Sequence, residues 1–435
     1  MQTLHIKTDA GLARAEALFT QPSSAGVLEA ALAAKVDAAR AIVADVLARR
    51  DAAVAEYSKR FDGVTLDPDR FEVTRDEIEA AYRSIDAKLR GALERAHDNI
   101  RAFHLKNLRE SWEETSPDGT VLGQRITPID SVGVYIPGGQ AFYPSSALMN
   151  IVPARVAGVR EIVMVCPPSY QGDVHPVALA AARIAGVSRV FRIGGAQAVA
   201  ALAYGTATVP QVLKITGPGN AYVTAAKRLV RGVCEIDTEA GPSEVTVLAD
   251  EAATPALVAA ELLAQAEHDE DTRCVLITTS AALVEAVERV IEKELTRLSR
   301  AEVIRKSLAR RGAAIVARTM DEAVALTNLN APEHLAIYTR APRETLKGIA
   351  NAGCIVLGEH TTVVYGDYIA GPNHTLPTDR RARFASPLSA EDFRKVSSVI
   401  EFSRERGTAV ADDVVRLATT EGLTAHVRAV EIRKT

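Results

Sequence analysis

Apolar side chains recur at three- and four-residue intervals through residues 27–63 and again through 75–108, the spacing that gives a helix one buried stripe. The first stretch ends on Asp62-Gly63, a pair suited to stopping a helix in a left-handed turn. The first 130 residues therefore read as mainly helical. From about residue 132 the pattern changes to short apolar runs alternating with helical segments. Residues 160–168 and 189–195 read as strands around a helix at 176–187. Helix 196–206, strand 211–219 and helix 220–232 continue the series. The alternation restarts with candidate strands at 243–250, 273–280, 312–319, 334–340 and 354–358, separated by helices such as 281–298. Order of this kind implies parallel sheets covered by helices. Two successive sets imply two α/β units that meet near residues 240–244. A Gly- and Pro-rich stretch, 365–384, follows. The remaining tail of about 50 residues is too short to bury a sizeable core alone.

Composition adds bounds. The 435 residues are 47% hydrophobic and 24% charged, an ordinary globular mixture. A net charge of −4 argues against nucleic acid or an anionic membrane as main partner. The opening MQTLHIKTDAG lacks a signal core, and no run approaches the roughly 20 apolar residues that span a bilayer. Cys166, Cys234, Cys274 and Cys354 lie far apart without a CxxC pair. That pattern fits reduced thiols in a cytoplasmic protein, not a disulfide frame or a Cys-based zinc site.

Four local patterns carry candidate chemistry. Thr254-Pro255 is a good helix start, and counting from it puts Glu261, Gln265 and His268 on one side near the helix end. An amide oxygen and an imidazole at i and i+3 suit zinc, but two donors do not complete a site. That helix end would also face the bottom of its own sheet unless another unit packs there. Glu333-His334, after Pro332 and before a strand, could transfer protons; alone, the pair reads more readily as a surface carboxylate beside a turn. Asp367 and His374 fall in a Gly/Pro/Asn-rich segment, expected to be irregular backbone where binding groups often sit. Glu421 and His426 are five apart, so one regular helix would not align them, and alone they read as an exposed tail.

The other signals are weaker. His5, His97, His104, His175 and His360 lack ligand-like neighbours. Glycine-rich stretches at 132–139, 192–206 and 214–227 border strands, yet none matches GxGxxG. Cys354 is the one tempting nucleophile, but a small apolar residue opening a buried strand describes it better.

Taken in order, FDGV, VGVYIPGG, YPSSALMNIVPARVAGV, GGAQAVAALAYGT, GPGNAYVTAAK, IDTEAGPSE, LLAQAEHD, NAPEHL, GDYIAGPNHTLPT and EGLTAH resemble the motif series of the histidinol dehydrogenase family. Singly each is weak; together they cover nearly the whole chain. The resemblance implies one zinc per subunit on Gln265, His268, Asp367 and His426, the last supplied by a partner subunit's tail. It makes Glu333 and His334 the proton-transfer pair. Ser243, His374 and Glu421 become substrate contacts alongside His334 and the zinc ligands, and Tyr135, Gln197 and Asn220 become NAD contacts. The implied fold is α/β, with two incomplete Rossmann-like units related to aldehyde dehydrogenases and small N- and C-terminal segments exchanged in a homodimer. The corresponding division is an N-terminal segment 1–25, a unit of 26–133 plus 244–387 carrying most zinc and catalytic residues, an NAD-binding unit 134–243, and a tail 388–435.

The implied activity is NAD-dependent oxidation of L-histidinol, through L-histidinaldehyde, to L-histidine, without a catalytic cysteine. One departure stands out: after LPT the family usually has a Gly-Gly pair, where this chain has Asp379-Arg380 and then Arg381. Arginines beside His374 would suit a carboxylate or sulfonate, although a solvated surface turn describes the stretch better. This keeps open a paralogue that oxidises another alcohol, such as sulfopropanediol. A non-catalytic zinc-binding protein on the same fold is a third reading. Joint retention of Gln265, His268, Glu333, His334, Asp367 and His426 argues against it.

Overall fold

The computed structural model describes residues 1–20, 25–138, 142–239 and 241–434. Two six-stranded sheets organise it. The first runs, edge to edge, Glu72–Val73, Arg189–Phe191, Glu161–Val165, Ser131–Tyr135, Lys214–Thr216, Glu235–Ile236. All its neighbours are parallel except the opening pair. The second runs Gln2–His5, Ala313–Val316, Arg273–Thr278, Glu244–Ala249, His334–Tyr338, Cys354–Leu357 and is parallel throughout. Strands such as VTVLA of 245–249 are apolar or β-branched at every position and buried throughout, as sheets covered on both faces require. In each sheet the chain winds outward from a central strand and then reverses. The reversals lie between Ser131–Tyr135 and Lys214–Thr216, and between Glu244–Ala249 and His334–Tyr338.

The buried side chains sort differently from the expected division. Ile78, Leu93 and Ile100 pack with Val132, Val134 and Ile162, while Ala39, Val46 and Val54 pack with Val163 and Phe191. The helices between residues 33 and 105 therefore cover the first sheet and do not join 244–387, whereas Asp9–Thr20 packs on the second sheet through Ala15 and Phe19. Strand Glu72–Val73 pins them there by pairing with Arg189–Phe191.

Two long helical stretches are each broken by a residue that the periodicity did not reveal. Arg50, at φ 54°, separates Ala25–Arg49 from Asp51–Asp62, and its guanidinium donates to the carbonyls of Tyr204 and Gly205 at 3.2 and 2.9 Å. Asp86 accepts from the N–H groups of Lys88 and Leu89, starting Ala87–Leu105 afresh after Arg75–Ser84.

The region expected to be helical up to residue 130 also contains the antiparallel pair Trp112–Thr115 and Val121–Pro128. The tail adds Arg394–Glu401 as a third strand, then helices Arg404–Thr420 and Thr424–Glu431. Its Ile400, Phe402, Leu417 and Ile432 are exposed in the single chain. The N-terminal segment is not a free arm in the single chain: Gln2–His5 forms an edge of its own chain's second sheet. Among the described residues no helix is long and apolar enough to cross a membrane.

Candidate active site

A cleft of about 380 Å³ is lined by residues from both units. The first sheet presents the carboxyl ends of its strands at the point of reversal, where open α/β sheets form ligand crevices. Gly217 has φ 108°, and a Cβ there would lie 2.1 Å from the Tyr135 carbonyl oxygen, so only glycine fits. The Gly217 N–H donates to Asp237 Oδ2 at 2.7 Å, and Lys227 Nζ donates to the Gly217 carbonyl at 3.0 Å. Lys227 and Asp237 also pair with each other, both nearly fully buried. Asn220 caps the next helix, accepting from Tyr222 and Val223 N–H at 3.0 and 3.2 Å. Tyr135 and Gln197 lie beneath this wall. The Tyr135 hydroxyl accepts from Gly195 N–H at 3.1 Å. Gln197 is fully buried, with neither amide atom partnered among the described residues.

The second sheet presents the amino ends of its strands. Helix Pro255–Ala266 runs back across that sheet and ends at the cleft, with Gln265 in its last turn and His268 just beyond. The bottom of this sheet is thus where the other unit packs. Glu261, on the same helix, is committed elsewhere: it accepts from the Tyr338 hydroxyl and Val363 N–H, each at 2.8 Å. Gln265 is 1% exposed, and neither of its amide atoms has a partner among the described residues. Asp367 sits on the short helix Val363–Tyr368, not on irregular backbone as its composition suggested. His374 does lie on irregular backbone beyond it.

At the start of its strand, His334 is held from both sides. Its Nδ1 lies 3.1 Å from the Glu244 carbonyl oxygen and its Nε2 lies 3.5 Å from Asp367 Oδ1. A carbonyl only accepts, so Nδ1 carries the hydrogen and Nε2 is the nitrogen that can exchange a proton. Glu333 Oε2 accepts from Glu244 N–H at 2.6 Å and stands 3.5 Å from His334 Nδ1. Burial is the largest single influence on His334 and pushes its pKa down, but Glu333 and Asp367 together hold it well above the ordinary value. For Asp367 burial pushes upward, and His334, outweighing it with His374 and His268, keeps the carboxyl below its usual range. His374 is lowered, chiefly by burial.

Ser243, Asn220, Gln265, His268, Glu333, His334, Asp367 and His374 all line this one cleft. Glu421 and His426 do not. Glu421 ends one exposed tail helix and His426 stands on the next. Among the described residues of the single chain, no three His, Cys, Asp or Glu side chains gather as a metal-holding group. Gln265, His268 and Asp367 offer one fewer donor than a tetrahedral zinc needs. Sequence reasoning missed Glu244, whose partners Glu333 and His334 lie about 90 residues away. It also missed Lys227 and Asp237, which are only ten residues apart but meet across a helix-to-strand turn that no periodicity marks.

Cys354 is not among the residues that line the cleft, and burial raises its pKa. The arginines after LPT also turn away from the cleft. Arg380 Nε donates to the Leu329 carbonyl at 3.0 Å, and Arg381 holds the carbonyl and carboxylate of Glu239. Asp379 and Arg380 keep φ of 52° and 62°, the left-handed region that glycine adopts freely.

Two doubly wound units with a buried carboxylate and imidazole side by side in the cleft between them are the architecture of an α/β enzyme. Residues 29–434 match the family model for histidinol dehydrogenase. Histidinol dehydrogenase of Geobacter sulfurreducens is 52% identical over 393 residues, covering 90% of this chain and 91% of its own. That of Bacillus subtilis is 48% identical over 395 residues, covering 91% and 92%. The crystal structure of histidinol dehydrogenase from Elizabethkingia anophelis matches with a TM-score of 0.92 at 33% identity, covering 100% of this chain and 98% of that one. The chain belongs to the histidinol dehydrogenase family and is an oxidoreductase.

Proposed function

We propose that this enzyme oxidises L-histidinol through L-histidinaldehyde to L-histidine, with NAD as hydride acceptor and one zinc ion per site. One observation carries the reading: Glu333-His334, the donors Gln265, His268 and Asp367, and the glycine turn at 217–219 share one cleft. The donor set fits zinc in its mixture of nitrogen and oxygen. The unpartnered, buried amide of Gln265 is a group that a metal would satisfy. Both Gln265 and His268 stand at a helix C-terminus, the end that favours positive charge. His426 from a second copy would be the fourth ligand, and the exposed apolar residues of the tail support pairing of two chains.

When bound, zinc supplies a charge that anchors and polarises the substrate, and NAD supplies the hydride acceptor. The side chains do the rest. His334 Nε2 takes the hydroxyl proton as the carbinol carbon loses hydride, giving the aldehyde. Glu333, with Oε2 fixed by Glu244 N–H, takes a proton from the water that adds to the aldehyde carbon, while His334 gives its proton to the aldehyde oxygen, forming the hydrate. The hydrate then loses a second hydride as His334 accepts a hydroxyl proton, giving the acid, and Glu333 and His334 release their protons to solvent. Asn220 and the turn at 217–219 suit the NAD wall, with Tyr135 and Gln197 bracing it from below. Ser243, His374 and the partner's Glu421 suit the amine and imidazole of the substrate.

The test is NADH formation by zinc-loaded protein with L-histidinol and sulfopropanediol in parallel. Steady turnover with histidinol supports the proposal. Turnover with sulfopropanediol alone would overturn it in favour of a paralogue, and no turnover with either would favour a binding protein. The positions of Arg380 and Arg381 outside the cleft count against the paralogue. The shared site has its own test: His268→Ala and His426→Ala proteins, mixed under subunit exchange, should regain activity, because each heterodimer holds one undamaged site. No recovery would mean that each tail serves its own chain.

A further inference from the structure

A second cavity, also about 380 Å³, opens at the amino ends of strands Gln2–His5, Ala313–Val316 and Arg273–Thr278. It lies along the same sheet edge as the catalytic cleft, but on the other half of the sheet. The turn at 378–381 divides the two: Thr378 lines the cleft, whereas Asp379 and Arg380 line the second cavity. Four guanidinium groups reach this cavity, those of Arg273, Arg310, Arg311 and Arg380.

Four carboxylates stand close by, those of Glu244, Glu270, Asp271 and Asp379, but they pair directly with only two of the four guanidinium groups. Arg310 pairs with Glu270 and Asp271. Arg273 Nη2 meets Glu244 Oε1 at 3.0 Å, while its Nε is buried with no partner among the described residues. Among those residues Arg311 and Arg380 are bonded only to main-chain carbonyls, of Asp271 at 3.1 Å and Leu329 at 3.0 Å. Burial, and then the neighbouring charges of Arg383 and Arg273, disfavour the cationic form of Arg380. Arg380 also occupies a left-handed backbone position at φ 62°. Strained backbone and close like charges are both costly without a compensating anion.

We propose that this cavity is a binding site for a small phosphorylated anion, separate from the substrate cleft. The volume suits a metabolite-sized ligand. Guanidinium forks match the paired oxygens of phosphoryl groups, and two under-neutralised arginines beside a third with a free Nε favour a ligand of at least two negative charges. Asp379 also lines this cavity and offsets part of the field, but it makes no ion pair with Arg311 or Arg380 among the described residues.

The test uses the full-length protein, with inorganic pyrophosphate as the probe, by titration calorimetry at fixed ionic strength. Arg311→Gln and Arg380→Gly are combined in one variant; the glycine relieves the left-handed backbone, so folding is preserved, and circular dichroism checks it. Arg305→Gln, an exposed site outside the cavity, is the control. Saturable pyrophosphate binding, weakened about tenfold or more in the double variant, a loss of about 1.4 kcal/mol, and unchanged in the control supports the site. Absence of binding would overturn it. So would equal binding by wild type and double variant, which would put the anion elsewhere, or a response that sodium chloride reproduces at matched ionic strength.

Discussion

The two sheets wind in the same order yet turn opposite edges toward the cleft. Helices begin at the carboxyl edge of the first sheet, so main-chain N–H groups and positive helix ends point inward. That wall is built from backbone, glycine turns and an Asn cap, and it suits the phosphates of a dinucleotide. At the amino edge of the second sheet a helix ends, and strands open with Glu244 and His334. Carbonyls and carboxylates face inward there, which suits a cation and proton transfer. One cleft can therefore hold anionic groups on one side and a metal on the other without either wall opposing its ligand.

Substitutions on the second wall should show the largest effects, and they should be effects on rate. His334→Asn is expected to lower kcat by about 10²–10⁴ for both half-reactions while leaving the thermal midpoint unchanged. Glu333→Gln should slow aldehyde oxidation more than alcohol oxidation, measured separately by supplying each substrate. Equal loss in the two steps would contradict the division of labour.

On the first wall the corresponding effect should be on stability. Lys227→Met leaves Asp237 buried without its cation and should cost about 3–5 kcal/mol in denaturant unfolding. A variant as stable as wild type would mean that this pair does not hold the glycine turn.

A second contrast sets two buried histidines against each other. His334 has carboxylates beside it, whereas His104 is 1% exposed with neither ring nitrogen partnered among the described residues. Burial pushes the His104 pKa down from 6.5 to about 4. Between those values the unfolded chain binds a proton that the folded chain does not, so stability falls as pH drops through that window. The loss is at most about 3 kcal/mol. His104→Leu should flatten this acid limb in pH-dependent unfolding, and an unchanged slope would remove His104 as its source.

The smallest effects should separate the two ligands. Asn220→Ala is expected to raise KM for NAD by about tenfold, roughly 1.4 kcal/mol, with zinc content unchanged. Gln265→Ala should do the reverse, lowering zinc content by metal analysis while NAD still binds. If either variant lost both ligands alike, the walls would not be independent.

What the sequence by itself determined is local. Short apolar runs and period-3.6 burial, with Gly, Pro and Asp at the ends, marked most strands of the two large sheets and the helices between them, because a strand covered on both faces must be apolar throughout and a helix must bury one stripe. The motif series likewise singled out Gln265, His268, Glu333, His334 and Asp367, which the fold brings to one cleft. Periodicity could not say which surface covers a helix, so residues 33–105 went with the wrong sheet. It could not show the breaks at Arg50 and Asp86, whose causes are a positive φ tied to carbonyls more than 150 residues away and a local cap inside an unbroken apolar stripe. The third strand of the antiparallel sheet escaped for the same reason, since 394–401 reaches 121–128 from far along the chain. The hairpin of 112–115 with 121–128 is local, and its Asp118-Gly119 turn was a signal left unread. Only the tertiary structure decided that the amino edge of one sheet meets the carboxyl edge of the other. Only it turned Arg380 and Arg381 away from His374. A side chain's neighbours across a cleft are set by long-range packing, and the residues beside it in sequence carry no record of them.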